Sequence, residues 1–186
     1  ERHDVADERE RQIDERGCCK QKSAVALKQM RTSVADYKQI GAGAIAYKHT
    51  VAANSPIDIN LAKQLNILLG NLGVPDGQII VDPTTGGLGY GIEYTYSVME
   101  RDRMAALTQQ DERLQFPIIC DLGKEIWKTK EAKAEDSPLM GAAAKRGILM
   151  EAITAQLLLL AGADVLIMRH PEAIRLVRGM ITDLMA

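Results

Sequence analysis

The sequence predicts an α/β fold built on parallel strands, and three features carry that prediction. Short apolar runs of strand length alternate with longer amphipathic stretches, four times in succession: 50–53, 78–81, 116–120 and 164–169. The runs are apolar throughout rather than alternating, as strands covered on both faces are. Each leads into a helical pattern, the order that gives parallel pairing with right-handed crossovers. Four such units in 186 residues leave two architectures open. One is a flavodoxin-like open sheet. The other is half of a (β/α)8 barrel, which in full takes about 250 residues.

Taken in order, residues 1–16 hold seven acidic and four basic side chains, with only Val5, Ala6 and Ile13 apolar. Residues 1–32 therefore read as a charged arm, helical or disordered, that adds little to a core. Within it, 23–30 is apolar enough for a strand. Residues 33–186 form the α/β domain. Val34, Tyr37, Ala44 and Ile45 mark a leading helix to about Lys48. After strand 50–53, Ser55-Pro56-Ile57-Asp58 opens a helix with Ser55 as N-cap, proline at the first position and Asp58 three residues on. Leu61, Leu65, Leu68, Leu69 and Leu72 give its apolar face, and Gly73 with Pro75 close it. The helix after strand 78–81 shows Ile92, Tyr96 and Met99 on one face. Residues 123–133 read as a polar, lysine-rich loop. A long helix over 142–161 places Leu149, Ile153, Leu157 and Leu160 on one side. His170-Pro171 starts the last helix, with Ile174, Val177, Ile181 and Leu184 on one face.

The stretch that organises the chain is QIIVDPTTGGLGYGIEYTYSVMERDR, residues 78–103. Asp82-Pro83 ends the strand, since proline cannot donate to a ladder. A loop with Gly86, Gly87, Gly89 and Gly91 follows. Glycines allow close backbone approach or positive φ, and loops at the carboxyl ends of strands are where α/β proteins place their sites. The spacing excludes a phosphate-binding GxxxxGK[ST] loop and the dinucleotide fingerprint GxGxxG. A loop that only turns the corner is the plain alternative.

Composition narrows the function classes. The net charge of −2 gives no support for nucleic-acid or anionic-membrane binding. No apolar run reaches the ~18 residues of a membrane span, and the charged start does not resemble a signal peptide. Cys18, Cys19 and Cys120 form no metal or disulfide spacing. A cytoplasmic protein is expected.

Candidate residues gather at the carboxyl-end face. Asp82 can orient a bound ring nitrogen or accept hydrogen bonds from its own loop. Thr84 and Thr85 can meet a ligand or cap the next helix. Asp58 and Asn60 lie on the same face, where the capping role suits Asp58. Arg169 and His170 end the last strand, and the arginine fork suits a phosphate or amide oxygen. His49 precedes a strand on the opposite face. Cys120 reads as a buried small hydrophobe. Lys124, Lys128 and Lys130 around Trp127 read as a protein-contact or solvated surface.

Several long blocks carry a resemblance. VDPTTGGLGYGIEYTYSVMERDRMAALT, SPIDINLAKQLNILL, FPIIC with GKEIWKTKEA, and EAITAQLLLLAGADVLIMRHPEAI resemble the small (delta) subunit of the corrinoid/iron–sulfur protein of the acetyl-CoA decarbonylase/synthase complex. The likeness covers Ser33 to the C-terminus, while residues 1–28 do not look like that family. It implies the C-terminal half of a TIM (β/α)8-type barrel: the last four βα units, with the first barrel strands missing. It implies a corrinoid (cobalamin) shared with a larger gamma subunit that carries the iron–sulfur cluster. It also implies transient contact with a methyltransferase and acetyl-CoA synthase, and methyl transfer from a methylated pterin in the reductive acetyl-CoA pathway. The residues it assigns to the corrinoid are Asp82, Thr84, Thr85, Gly86, Gly87, Gly89, Tyr90 and Arg169, with no catalytic side chain and no metal ligand. Two other readings stay open: a stand-alone pterin-dependent methyltransferase using Asp82, Asp58 and Asn60, and a fragment that only scaffolds a partner.

Overall fold

The computed structural model describes residues 29–186. Within them the order is β1 (Gln29–Thr32), α1 (Tyr37–Tyr47), β2 (Thr50–Asn54), α2 (Ile59–Leu72), β3 (Ile79–Asp82), α3 (Ile92–Thr108), β4 (Ile119–Asp121), α4 (Leu122–Ile126), α5 (Lys130–Lys133), α6 (Ala143–Leu160), β5 (Val165–Ile167) and α7 (Pro171–Met185). Single 3-10 turns at Asp76–Gln78 and Glu112–Leu114 precede β3 and β4.

The strands run parallel and lie in sequence order. β1, β2 and β3 form one ladder and β4 pairs with β5 in another. A parallel bridge between Val81 and Ile118, with Val81 N donating to Pro117 O at 2.7 Å, joins the two. The four expected strands are therefore present, each shifted by one to three residues. β1 corrects the reading of 1–32 as an arm, because its last four residues pair with β2 along the whole of β1. The rest of that segment, with Cys18, Cys19 and the start of the expected strand 23–30, lies outside the described residues.

Side chains of the strands alternate between two faces. Val51, Ala53, Ile79, Val81, Ile118 and Cys120 pack against the helices, with Leu65 and Leu69 of α2, Met99 of α3, Leu158 of α6 and Val177 of α7. The opposite face carries a smaller row of Ala52, Ile80 and Ile119 with Val165 beside it, one residue from each of β2 to β5. Helices thus cover one face.

Three helix readings need correction. The N-cap of α2 is Asp58, not Ser55: the Asp58 carboxylate accepts from Asn60 N at 2.8 Å and Leu61 N at 3.2 Å. Ser55 is instead buried at the end of β2. In α3 the inward face is Thr95, Val98, Met99 and Asp102, and Tyr96 stands partly outside. In α6 the expected face is turned around. Leu149, Ile153 and Leu160 are exposed, while Gly147, Glu151, Thr154, Ala155 and Leu158 are buried. Small residues let α6 approach α4 and α5 closely, and a buried carboxylate fixes its rotation, as described below. The span read as a polar loop, 123–133, contains α4 and α5, whose buried Leu122, Ile126 and Ala132 anchor it.

Asp102 is the least comfortable group in this core. It is 2% exposed and neither carboxylate oxygen has a hydrogen-bond partner among the described residues. Burial raises its pKa to about 6, against the opposing pull of Arg101 and Arg103. The folded state then holds a proton that the unfolded chain releases near the ordinary 3.8, so stability falls as pH rises from about 4 to 6 and the loss persists above. The penalty is roughly 2–3 kcal/mol. Urea unfolding across pH 4–7 should show this slope, and Asp102→Asn should flatten it; an unchanged slope in the variant would place its origin elsewhere.

Candidate functional site

Two buried carboxylates organise the carboxyl ends of the strands. The first is Asp82, at the end of β3. Its Oδ2 pairs with Arg31 Nε of β1 at 2.9 Å, and its Oδ1 accepts from Thr84 N at 3.0 Å. Its carbonyl accepts from Ser55 N at 2.9 Å and from Asn54 Nδ2 at 3.3 Å. One residue therefore ties β1, β2, β3 and the glycine-rich loop. Burial pushes the Asp82 pKa up; Arg31 and the Thr84 N–H pull it back, and nearby Asp121 pushes it up again.

Thr84 takes a left-handed conformation, φ 66°, which costs a β-branched residue roughly 1–3 kcal/mol. It is held there from every side. Asn54 Nδ2 donates to its Oγ1 at 2.8 Å, and the fully buried Thr95 hydroxyl donates to its carbonyl at 2.9 Å. The same Thr95 oxygen accepts from Gly86 N at 2.8 Å. A second strained branched residue, Ile57 with φ 51°, sits in the adjoining loop, its N–H donating to Pro83 O at 3.2 Å. Thr84 and Thr85 do not cap α3, whose N-cap is Gly91.

The glycines divide into two kinds. A Cβ on Gly86 would lie 2.4 Å from Gly91 O, so this glycine closes the loop on itself. Gly89 has φ 75° and a Cβ there would meet nothing within 4 Å, so the loop tip is open. Beside it Tyr90 is half-exposed, and its hydroxyl donates to Glu131 Oε2 of α5 at 2.8 Å. Gly87 packs near Ile126, and the buried Thr85 hydroxyl has no hydrogen-bond partner among the described residues. The Cys120 thiol is buried within β4, and burial pushes its pKa up to about 12, which disfavours the thiolate.

The second carboxylate is Glu151 of α6, fully buried. Its Oε2 accepts from Trp127 Nε1 at 2.8 Å and from His170 N at 3.1 Å, and its Oε1 accepts from Arg169 N. The His170 side chain caps α7 through Glu172 N at 3.2 Å. Sequence reasoning missed Glu151. The available signal was a lone acid in the otherwise uncharged stretch 147–160, four residues after Gly147 on the small-residue side. It also missed Arg31 and Asp121.

Trp127 and Arg169, both held by Glu151, help line a cleft of about 520 Å³ at the ends of β4 and β5, with Asp121, Lys124, Lys128 and Ile167 among the others. Lys124 and Lys128 are exposed, as read from the sequence, and both line this concavity with Arg169. A Cβ on Gly123 would lie 2.9 Å from Arg169 N, so glycine there lets the two strand ends meet. The structure thus places Asp82, the threonines, the glycines and Tyr90 in one loop, and Arg169 across β4 from them. Asp58 caps α2, its carboxylate accepting from the Asn60 backbone N–H, and His49 lies at the amino end beside Tyr47. Among the described residues no group of three or more His, Cys, Asp or Glu could hold a metal ion, and no helix is long and apolar enough to cross a membrane.

Removing Glu151 strands three N–H donors in the interior. Glu151→Ala should cost roughly 3–5 kcal/mol in urea unfolding and shift the emission of Trp127, the chain's single tryptophan, to the red. A loss below about 1 kcal/mol, within the range of an exposed pair, would show that Glu151 is not the anchor.

Comparison with known proteins agrees with these blocks. The family model described as CO dehydrogenase/acetyl-CoA synthase delta subunit matches residues 27–182. The acetyl-CoA decarbonylase/synthase complex subunit delta of Methanopyrus kandleri is 42% identical over 142 residues, 76% of this chain and 35% of that protein. Subunit delta 2 of Methanosarcina acetivorans is 38% identical over 155 residues, covering 80% and 35%. The Archaeoglobus fulgidus subunit delta is 37% identical over 155 residues, covering 80% and 34%. The chain spans about a third of the length of these relatives. With nearly all of its described residues inside the matched region, this chain belongs to the CO dehydrogenase/acetyl-CoA synthase delta subunit family.

Proposed function

We propose that this chain forms the corrinoid-facing part of a delta subunit within a methyl-carrying corrinoid/iron–sulfur protein. The observation that carries the reading is the open tip of the glycine-rich loop at the carboxyl ends of the strands. Gly89 leaves space where any side chain would protrude, and Tyr90 presents a half-exposed ring beside it. A corrinoid is large, flat and rimmed with amide side chains, so an open, polar loop tip fits its edge. Gly86 and the Thr84 backbone are committed to the loop's own bonds and act by shaping it. The strain stored at Thr84 and Ile57, on adjoining loops at this end, also supports a binding role.

When bound, the corrinoid supplies the cobalt that accepts and passes on a methyl group. The chain's own residues contribute a rigid rim. Asp82, Asn54 and Thr95 hold the loop, and Gly89 and Tyr90 meet the ligand edge. No side chain is assigned proton transfer. The alternative of a pterin-dependent methyltransferase needs Asp82, Asp58 and Asn60 directed at one ligand, whereas Asp58 caps α2 and Asp82 is paired with Arg31.

The five parallel strands in order and the row Ala52, Ile80, Ile119 and Val165 across the helix-free face support consecutive units of a (β/α)8 barrel. The rest of the relatives' length is ample for the remaining units. In this reading the partner is a larger gamma subunit carrying the iron–sulfur cluster, with methyltransferase and acetyl-CoA synthase as transient contacts.

The test is a cobalamin titration of the chain together with the larger subunit, read by corrin absorbance. Gly89→Asn keeps a residue that tolerates positive φ while adding bulk at the tip. It should melt within a few degrees of the parent and bind at least about tenfold more weakly, a change of about 1.4 kcal/mol. Leu65→Ala, in the core, should cost roughly 2–5 kcal/mol of stability and leave the affinity of the folded fraction unchanged. Equal affinity for Gly89→Asn and the parent would reduce this loop to a turn.

A further inference from the structure

We infer that the cleft between the ends of β4 and β5 is a site for a phosphate monoester carrying a flat group, separate from the loop tip assigned to the corrinoid.

Charge is the first argument. The chain is acidic overall, with net charge −2, yet this cleft is lined by Lys124, Lys128 and Arg169 against one carboxylate, Asp121. The local excess of two positive charges matches a phosphate monoester, which carries close to two negative charges at neutral pH. Availability is the second. The side chains of Lys124 and Arg169 make no ion pair among the described residues, and Lys128 is tied only to exposed Glu125 at 2.8 Å, a pairing of little strength.

Shape and rigidity complete the case. A volume of about 520 Å³ lies in the range of small-ligand sites and exceeds what a bare phosphate needs. The remaining wall is apolar and flat: Trp127, with Ile167 beside it. Arg169 Cζ lies over the Trp127 ring, 6.0 Å from its centroid, and the His170 ring stacks on the same indole at 5.9 Å, so the indole braces the cation at the mouth of the cleft. The indole and the Arg169 backbone are both fixed. Buried Glu151 holds the indole N–H at one oxygen and the Arg169 backbone N–H at the other. A buried carboxylate that fixes the tryptophan and the backbone from which Arg169 projects is a support for a binding site.

The single tryptophan makes the test direct. At about 1 µM full-length chain in low salt, AMP should change Trp127 emission saturably, with excitation beyond adenine absorption. Adenosine, lacking the phosphate, should do so at least tenfold more weakly, and inorganic phosphate should compete with AMP. Added salt should weaken AMP binding, since the attraction is between charges exposed to solvent. Arg169→Gln and Lys124→Gln should each lower the AMP affinity about tenfold while melting with the parent, and Lys38→Gln on α1 should leave it unchanged. Calorimetry on the same variants separates binding from a change in emission alone. No saturable response to AMP up to several millimolar, equal binding of adenosine, or full affinity in Arg169→Gln would each overturn the assignment. Because cobalamin binding is scored on Gly89→Asn, failure here and failure of the corrinoid reading give different patterns.

Discussion

The carboxyl-end face of this protein depends on how the Asp82 carboxylate is buried. A carboxylate taken out of water is costly unless its oxygens are hydrogen-bonded or paired. Asp82 meets that demand with groups drawn from different elements: Arg31 of β1 and the Thr84 N–H of the loop at its carboxylate, and the end of β2 at its carbonyl. Satisfying one acid therefore sets three strand ends in register and holds Thr84 in a conformation it would not choose alone. The glycine-rich loop is a consequence of that constraint as much as of its glycines.

Glu151 repeats the arrangement on the other ladder. It reaches from α6 to the backbone after β5 and to the indole after α4. The rotation of α6 follows. With Glu151 inward, Gly147, Thr154 and Ala155 must also face inward, and Leu149, Ile153 and Leu160 are turned outward. Exposed apolar residues continue on α7 with Ile181 and Leu184. Exposed apolar residues on two adjacent helices suit a neighbouring layer rather than water, in keeping with membership of a family whose relatives are about three times as long.

Both carboxylates serve the same end of the sheet, so the rigid part of the molecule and the chemically varied part meet there. Strain at Thr84 and Ile57, the open tip at Gly89 and the basic cleft around Arg169 all lie on loops that these acids pin. The arrangement provides orientation and charge at one end of the sheet.

Local pattern alone determined four of the five strands, their parallel sense and the end of the sheet that carries the loops, and long blocks of sequence pointed to the family. These follow from apolar run lengths, glycine and proline punctuation, and long blocks of sequence, all short-range properties. Tertiary structure decided the rest. Periodicity could not orient α6, because leucines lie around most of its circumference and only packing selects between its faces. Capping passed from Ser55 to Asp58 because the backbone of Ser55 was needed at Asp82 O, a contact 27 positions away. Arg31, Asp121 and Glu151 carry no local motif. Their roles arise from distant partners, and what a buried charge does is determined by what is brought to meet it.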